Sequence, residues 1–194
     1  RAVSHVLVTS EKEYLLALSY VTGIDCSPLL TIVRSPNVPE MASIYPAIEP
    51  LFRAQIAAGE KAIVEHPADA YAHEITGVAY ARLAESLLEL GQPVQTLRDQ
   101  ACARLEEAIR INPRFPWAYN DYGYALAISG MSSRQRNGDA RGAFQRAIDM
   151  TKKATEIDEE YLIAYNNTSA WLTELAEWQS DHGESPEMTL LEAE

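Results

Sequence analysis

The chain repeats itself at a fixed interval. Ala62 to Gly77 reads AIVEHPADAYAHEITG, Ala108 to Gly123 reads AIRINPRFPWAYNDYG, and Ala154 to Ser169 reads ATEIDEEYLIAYNNTS, each 46 residues after the one before. In each passage a helical stretch ends at a turn, and a second opens with aromatic residues and a small residue. Such a period restricts the architecture severely. A unit too small to bury its own apolar face must stack on its neighbours and share one core with them.

Helical spacing accounts for most of the chain. Val3, Leu7, Tyr14, Leu15, Leu18 and Val21 predict a helix over Ala2 to Thr22, ended by Gly23, and Ser27-Pro28 offers another start. Pro36, Pro39, Pro46 and Pro50 predict loop with short helical pieces from Thr31 to Pro50. Helix is expected again from Leu51 to Glu65, stopped by His66-Pro67. Ala72, Ile75, Ala79, Leu83 and Leu87 mark one face of a helix from Asp69 to Leu90, with Gly91 at its end. Leu97, Ala101, Leu105 and Ala108 predict an antiparallel partner running up to Pro113.

Pro116 opens a further helix, which the turn-rich run GMSSRQRNGD from Gly130 to Asp139 is expected to end near Ser129. Phe144, Ala147, Ile148, Thr151 and Ala154 make its partner, and Asp158 reads as the N-cap of a helix from Tyr161 to His182. Gly183 ends that helix and Ser185-Pro186 starts another.

With Pro67 and Pro113 in register, Glu159 takes the third turn position, and Gly77, Gly123 and Ser169 align. His73, Tyr119 and Tyr165 align four residues earlier, each preceded by an alanine, and Ala62, Ala108 and Ala154 align before the turn. Small residues and aromatics at these offsets resemble the tetratricopeptide repeat. The resemblance covers Leu51 to Glu194 well and Ala2 to Pro50 weakly. It implies an all-α, right-handed solenoid of antiparallel helix pairs, in which alanine and glycine sit where neighbouring helices approach closely. The family unit has 34 residues, so a 46-residue period leaves about 12 more. Gly91, Asn137 and Gly183 keep the period, which places the extra residues between the two helices of a unit, as longer helix or wider loop. Residues 1–50 are then a divergent N-terminal unit with a proline-rich insertion, and 51–194 a continuous array whose last unit is cut short. The chain also loosely resembles repeat arrays of large bacterial signalling proteins, including serine/threonine kinases. It starts at Arg1 without a signal pattern and stops inside a helix, as a segment of a longer polypeptide would.

Sixteen basic against 28 acidic residues give a net charge of −12, which argues against nucleic acid or an anionic membrane as partner and suits an apolar or basic one. No apolar run reaches the roughly 20 residues needed to span a bilayer. Cys26 and Cys102 are far apart with no ligand-spaced neighbour, so two buried thiols in a reducing, cytoplasmic setting are expected, without disulfide or zinc.

Catalytic signals are weak. His73-Glu74 begins like the zinc-protease HExxH, but Gly77 stands where the second histidine belongs, and His73 is also the repeat's aromatic position. His5, His66 and His182 are isolated. There is no phosphate-binding glycine loop and no nucleophile elbow, and Asn166 and Asn167 match glycosylation acceptors only inside a helix. No enzyme, metal or cofactor is expected.

The resemblance implies that the first helix of each pair lines a concave face where such arrays hold peptides. Carried over, the inward positions are Tyr71, Glu74, Val78 and Arg82, then Trp117, Asn120, Tyr124 and Ile128, then Ile163, Asn166, Ala170 and Glu174. An asparagine amide at Asn120 or Asn166 can pair with an extended backbone, and Trp117 and Tyr124 are either interface anchors or packing between helices. A grip on an acidic tail is disfavoured, since only Arg82 and the two asparagines suit it, against Glu74 and Glu174. The expected role is a non-catalytic interaction or scaffold module for a peptide or protein segment. The alternatives are a regulatory arm of a larger enzyme such as a kinase, and a module for self-association.

Overall fold

A computed structural model describes residues 41–193 of the protein, with side chains from 48 to 191. The helix expected over Ala2 to Thr22, the starts and stops at Gly23 and Ser27-Pro28, Cys26 and the prolines before residue 40 lie outside the described residues. Among the described residues the fold is all-α and holds no strand. The helices are α1 (Met41–Glu65), α2 (Ala70–Glu89), α3 (Gln95–Ile111), α4 (Pro116–Gln135), α5 (Arg141–Ile157), α6 (Leu162–Asp181) and α7 (Glu187–Ala193).

Helix lengths alternate, and so do the links. α2, α4 and α6 have 20 residues each, and α3 and α5 have 17. Four-residue links (66–69, 112–115, 158–161) alternate with five-residue links (90–94, 136–140, 182–186). Links this short join neighbours that run in opposite senses. Each helix packs on the next, and α2 also touches α4 as α4 touches α6. The long sequence period is therefore taken up by long helices and not by wide loops.

The five-residue links share one device. Gly91, Asn137 and Gly183 have φ of 69°, 54° and 74°, the left-handed region that glycine and asparagine adopt at least cost. The next N–H in each case reaches back five residues, from Gln92 to Leu87 O (2.9 Å), from Gly138 to Ser133 O (2.8 Å) and from Glu184 to Gln179 O (2.9 Å). These bonds satisfy carbonyls that the helix end would otherwise leave unpaired.

Three expected boundaries are corrected. α1 starts at Met41 and runs through Pro46 and Pro50, where loop was expected, so residue 50 is no element boundary. The two prolines lie four apart, and the N–H that Pro50 lacks is the one that would have bonded the Pro46 carbonyl. α4 continues past Ser129 to Gln135 because Gly130 is a packing residue, not a turn: a Cβ there would lie 2.7 Å from the Phe144 ring. Asp158 does not cap α6. Its Oδ1 accepts the Glu160 N–H at 3.1 Å within the link, as Asn112 Oδ1 does from Arg114 at 3.1 Å, and α6 starts after Tyr161 without a side-chain cap. Asp69 does cap α2, accepting from Tyr71 N (2.9 Å) and Ala72 N (3.3 Å).

The core runs between the helices, with Leu83, Leu105, Ile128, Phe144 and Ile148 fully buried. Gly77 and Gly123 let the helices approach: a Cβ on Gly123 would stand 2.8 Å from the Ala147 carbonyl, and one on Gly77 2.6 Å from Leu105.

Candidate interaction surface

The short links and shared core set α2, α4 and α6 side by side, so equivalent positions recur across the molecule. Tyr71, Trp117 and Ile163 each stand in the first turn of these helices, 46 residues apart, and are 53%, 47% and 55% exposed. Large apolar side chains recurring at one exposed position form an apolar stripe among the described residues. Phe115 lies against Trp117 with ring centroids 5.8 Å apart, which supports the indole from the side of the link.

One turn below the stripe the helices are joined by polar contacts. Asn167 Nδ2 on α6 donates to Asn120 Oδ1 on α4 at 2.9 Å, and Asn120 Nδ2 donates to Asp121 Oδ1 at 2.9 Å. Asp121 in turn is hydrogen-bonded to Glu74 on α2. Burial raises the affinity of the Glu74 carboxyl for its proton, and the neighbouring Asp121 charge adds to it. Burial raises Asp121 as well, offset by the bonds it accepts from Glu74 and Asn120 and by Arg82. Glu74 thus keeps its proton at neutral pH and donates to Asp121. Glu74 Oε2 is fully buried and accepts no hydrogen bond from the described residues. Tyr161, before α6, stands near both carboxyls, and its own hydroxyl is held protonated by burial and by their charge.

Further along, Arg82 Nη1 donates to the Tyr124 hydroxyl at 3.1 Å and to Glu85 Oε2 at 3.4 Å, and its guanidinium lies 4.6 Å from the centre of the Tyr124 ring. The Tyr124 hydroxyl donates to Glu85, and its ring stands 6.2 Å from that of Trp171. Arg134 bridges Glu174 and Glu177 at 2.8 Å each and Asp181 at 3.4 Å.

The residues expected on one inward surface divide into three groups. Tyr71, Trp117, Ile163, Asn166 and Ala170 are exposed, and Val78, Arg82 and Glu174 are half-buried. Glu74, Asn120, Tyr124 and Ile128 are buried, at 6%, 2%, 7% and 0% exposure. Glu74, Asn120 and Ile128 are therefore not open contacts as expected of inward positions, the Asn120 amide being engaged between helices, and Tyr124 takes the alternative of packing between helices. Asn166 remains open. Asp121 and Asn167, which complete the polar contacts, lie one position beyond the inward series. Their shared 46-residue spacing was the available signal. His73 is 3% exposed, and its Nε2–H donates to Pro67 O at 3.1 Å. No group of three or more metal-ligating side chains occurs among the described residues. None of the described helices is long and apolar enough to cross a membrane.

In comparisons with known proteins, no family model matches this chain and no curated sequence is significantly similar to it.

Proposed function

We propose that the protein is a tetratricopeptide-like solenoid of helix pairs and acts without catalysis, docking an extended protein segment on the face made by α2, α4 and α6. The observation that carries this reading is the exposure of Tyr71, Trp117 and Ile163 at one repeated position. Directly packed helices lie about 8–10 Å apart. The stripe then spans about 20 Å, the reach of roughly six extended residues. The alternating links and helix lengths support the solenoid. Selection of a random heptapeptide display library on the protein tests the docking. Enriched peptides whose binding is lost in a Trp117→Ala, Ile163→Ala variant support it, and peptides indifferent to both changes contradict it.

Self-association is a second reading, favoured by Met188 and Leu191 of α7, which are 78% and 66% exposed. Light scattering that finds a monomer at high protein concentration would exclude it.

A further inference from the structure

The three five-residue links each carry one left-handed residue, and the middle link differs in its chemistry. Gly91 and Gly183 fill the position in the outer links, while Asn137 fills it between α4 and α5. Asn137 is exposed, and it is the one asparagine of the chain that a glycine follows. A glycine has no side chain to keep its amide nitrogen away from the preceding side-chain amide carbon, here Asn137 Cγ, and asparagine is among the thermally labile residues. The fold engages that nitrogen. Gly138 N–H donates to Ser133 O at 2.8 Å and Asn137 N–H to Arg134 O at 2.9 Å, both at the end of α4. The Gly138 carbonyl accepts from Trp178 Nε1 on α6 at 3.2 Å. Trp178 is itself buried, stacked on the His182 ring with centroids 4.1 Å apart, and the Arg141 guanidinium lies 5.1 Å from the centre of its ring.

We propose that Asn137 is a site of spontaneous deamidation, kept closed by the folded link and reached when Gly138 lets go of α4 and α6. In the reaction the Gly138 nitrogen gives its proton to water or hydroxide and attacks Asn137 Cγ. A nitrogen–carbon bond forms, the side-chain nitrogen takes up a proton and leaves as ammonia, and a five-membered succinimide remains. Water then opens the ring at one of its two carbonyls. One opening gives aspartate, and the other gives isoaspartate, in which the main chain runs through the former side chain. Water is the one co-reactant. The proton that must leave is the one Ser133 O accepts, so the rate follows local opening of the link and not the exposure of Asn137. Conversion works against the structure that slows it. The new carboxylate stands just past the C-terminus of α4, where the helix dipole is already negative, and beside Asp139. The isoaspartyl form adds one methylene to the main chain, which shifts Gly138 off Ser133 O and off Trp178. The join of α4 to α6 is thereby weakened without return, in the middle of the described array. Glycine at 91 and 183 spares the outer links this chemistry.

The test ages the protein at mildly alkaline pH, folded in buffer and unfolded in guanidinium. Peptide mapping by mass spectrometry reads the exchange of ammonia for water at each asparagine, and an isoaspartate methyltransferase labels the isomer. In guanidinium Asn137 should convert before any other asparagine, and in the folded protein about tenfold or more slowly. Folded Trp178→Phe, which lacks the donor to Gly138 O, should convert about threefold or more faster than folded wild type. Trp171→Phe, a buried tryptophan of the same helix whose Nε1 makes no bond to the described residues, should stay within about twofold. Ion exchange separates converted from unconverted wild type by the added charge, and the converted fraction should melt at the lower temperature. Equal rates folded and unfolded, faster conversion at another asparagine in guanidinium, or equal melting of the two fractions would each overturn the proposal, as would a folded Trp178→Phe that converts no faster than Trp171→Phe. If Trp178→Phe does not fold, the wild-type rates and the melting of the two fractions still decide.

Discussion

Asn167 Nδ2 donates to Asn120 Oδ1 at 2.9 Å, joining two helices whose residues are related by the repeat yet belong to different units. Asn120 is 2% exposed, so this bond satisfies an acceptor that water cannot reach. Asn167→Ala leaves Asn120 Oδ1 unpaired. It is expected to lower stability by about 1–2 kcal/mol in urea denaturation. An unchanged midpoint would mean the contact is not formed in solution.

The Glu74–Asp121 pair makes stability depend on pH in a stated direction. Folding raises the proton affinity of Glu74 above its ordinary value of 4.5. The folded state therefore binds more protons than the unfolded state above that pH. Its contribution is full below about pH 4.5 and is lost as pH rises. Glu74→Gln, always neutral, is expected to gain on the wild type between about pH 5 and pH 8, by no more than about 1.4 kcal/mol per pH unit. Parallel stability curves for the two proteins would contradict this.

Glycines with opposite surroundings should respond oppositely to alanine. Gly123→Ala puts a Cβ 2.7 Å from Thr151 Cγ2 and 2.8 Å from the Ala147 carbonyl, and backbone cannot yield cheaply. A loss of about 1–3 kcal/mol is expected. Gly142, in the first turn of α5, has nothing within 4 Å of its Cβ position, and Gly142→Ala should gain up to about 1 kcal/mol. Thermal melts of both variants check the pair.

Burial pushes the Cys102 thiol up to about 11, so little thiolate is present near neutral pH. In a Cys26→Ser background, the native protein should react with a disulfide reagent about tenfold or more slowly than the same protein in denaturant. Equal rates would show that the α3 surface around Cys102 opens readily.

Much of the fold is legible in the residues. The period, the helix ends at Gly91 and Gly183, and the spacing roles of Gly77 and Gly123 can all be read from one-letter patterns, because each reflects a local backbone or volume requirement. Gly130 misleads for an instructive reason: a glycine before a polar run reads as a turn, while only the Phe144 ring packed against it reveals a packing role. Asp158 misleads likewise, since an aspartate near a helix start bonds its own link as readily as it caps. The inward face is half legible. The family resemblance carries Tyr71, Trp117 and Ile163 over as inward positions, and all three are exposed. It cannot tell that Asn120 and Tyr124 are consumed between helices, because that depends on how closely α2, α4 and α6 approach.

The most direct test is calorimetric titration of one selected heptapeptide into wild type and five single variants. Tyr71→Ala, Trp117→Ala and Ile163→Ala are each expected to weaken binding about fivefold or more, as loss of an exposed apolar anchor does. Thr96→Ala and Gln100→Ala, at exposed positions on α3, should stay within about twofold of wild type. Binding that survives all three stripe substitutions, or that falls equally with the α3 substitutions, would contradict docking on the face of α2, α4 and α6.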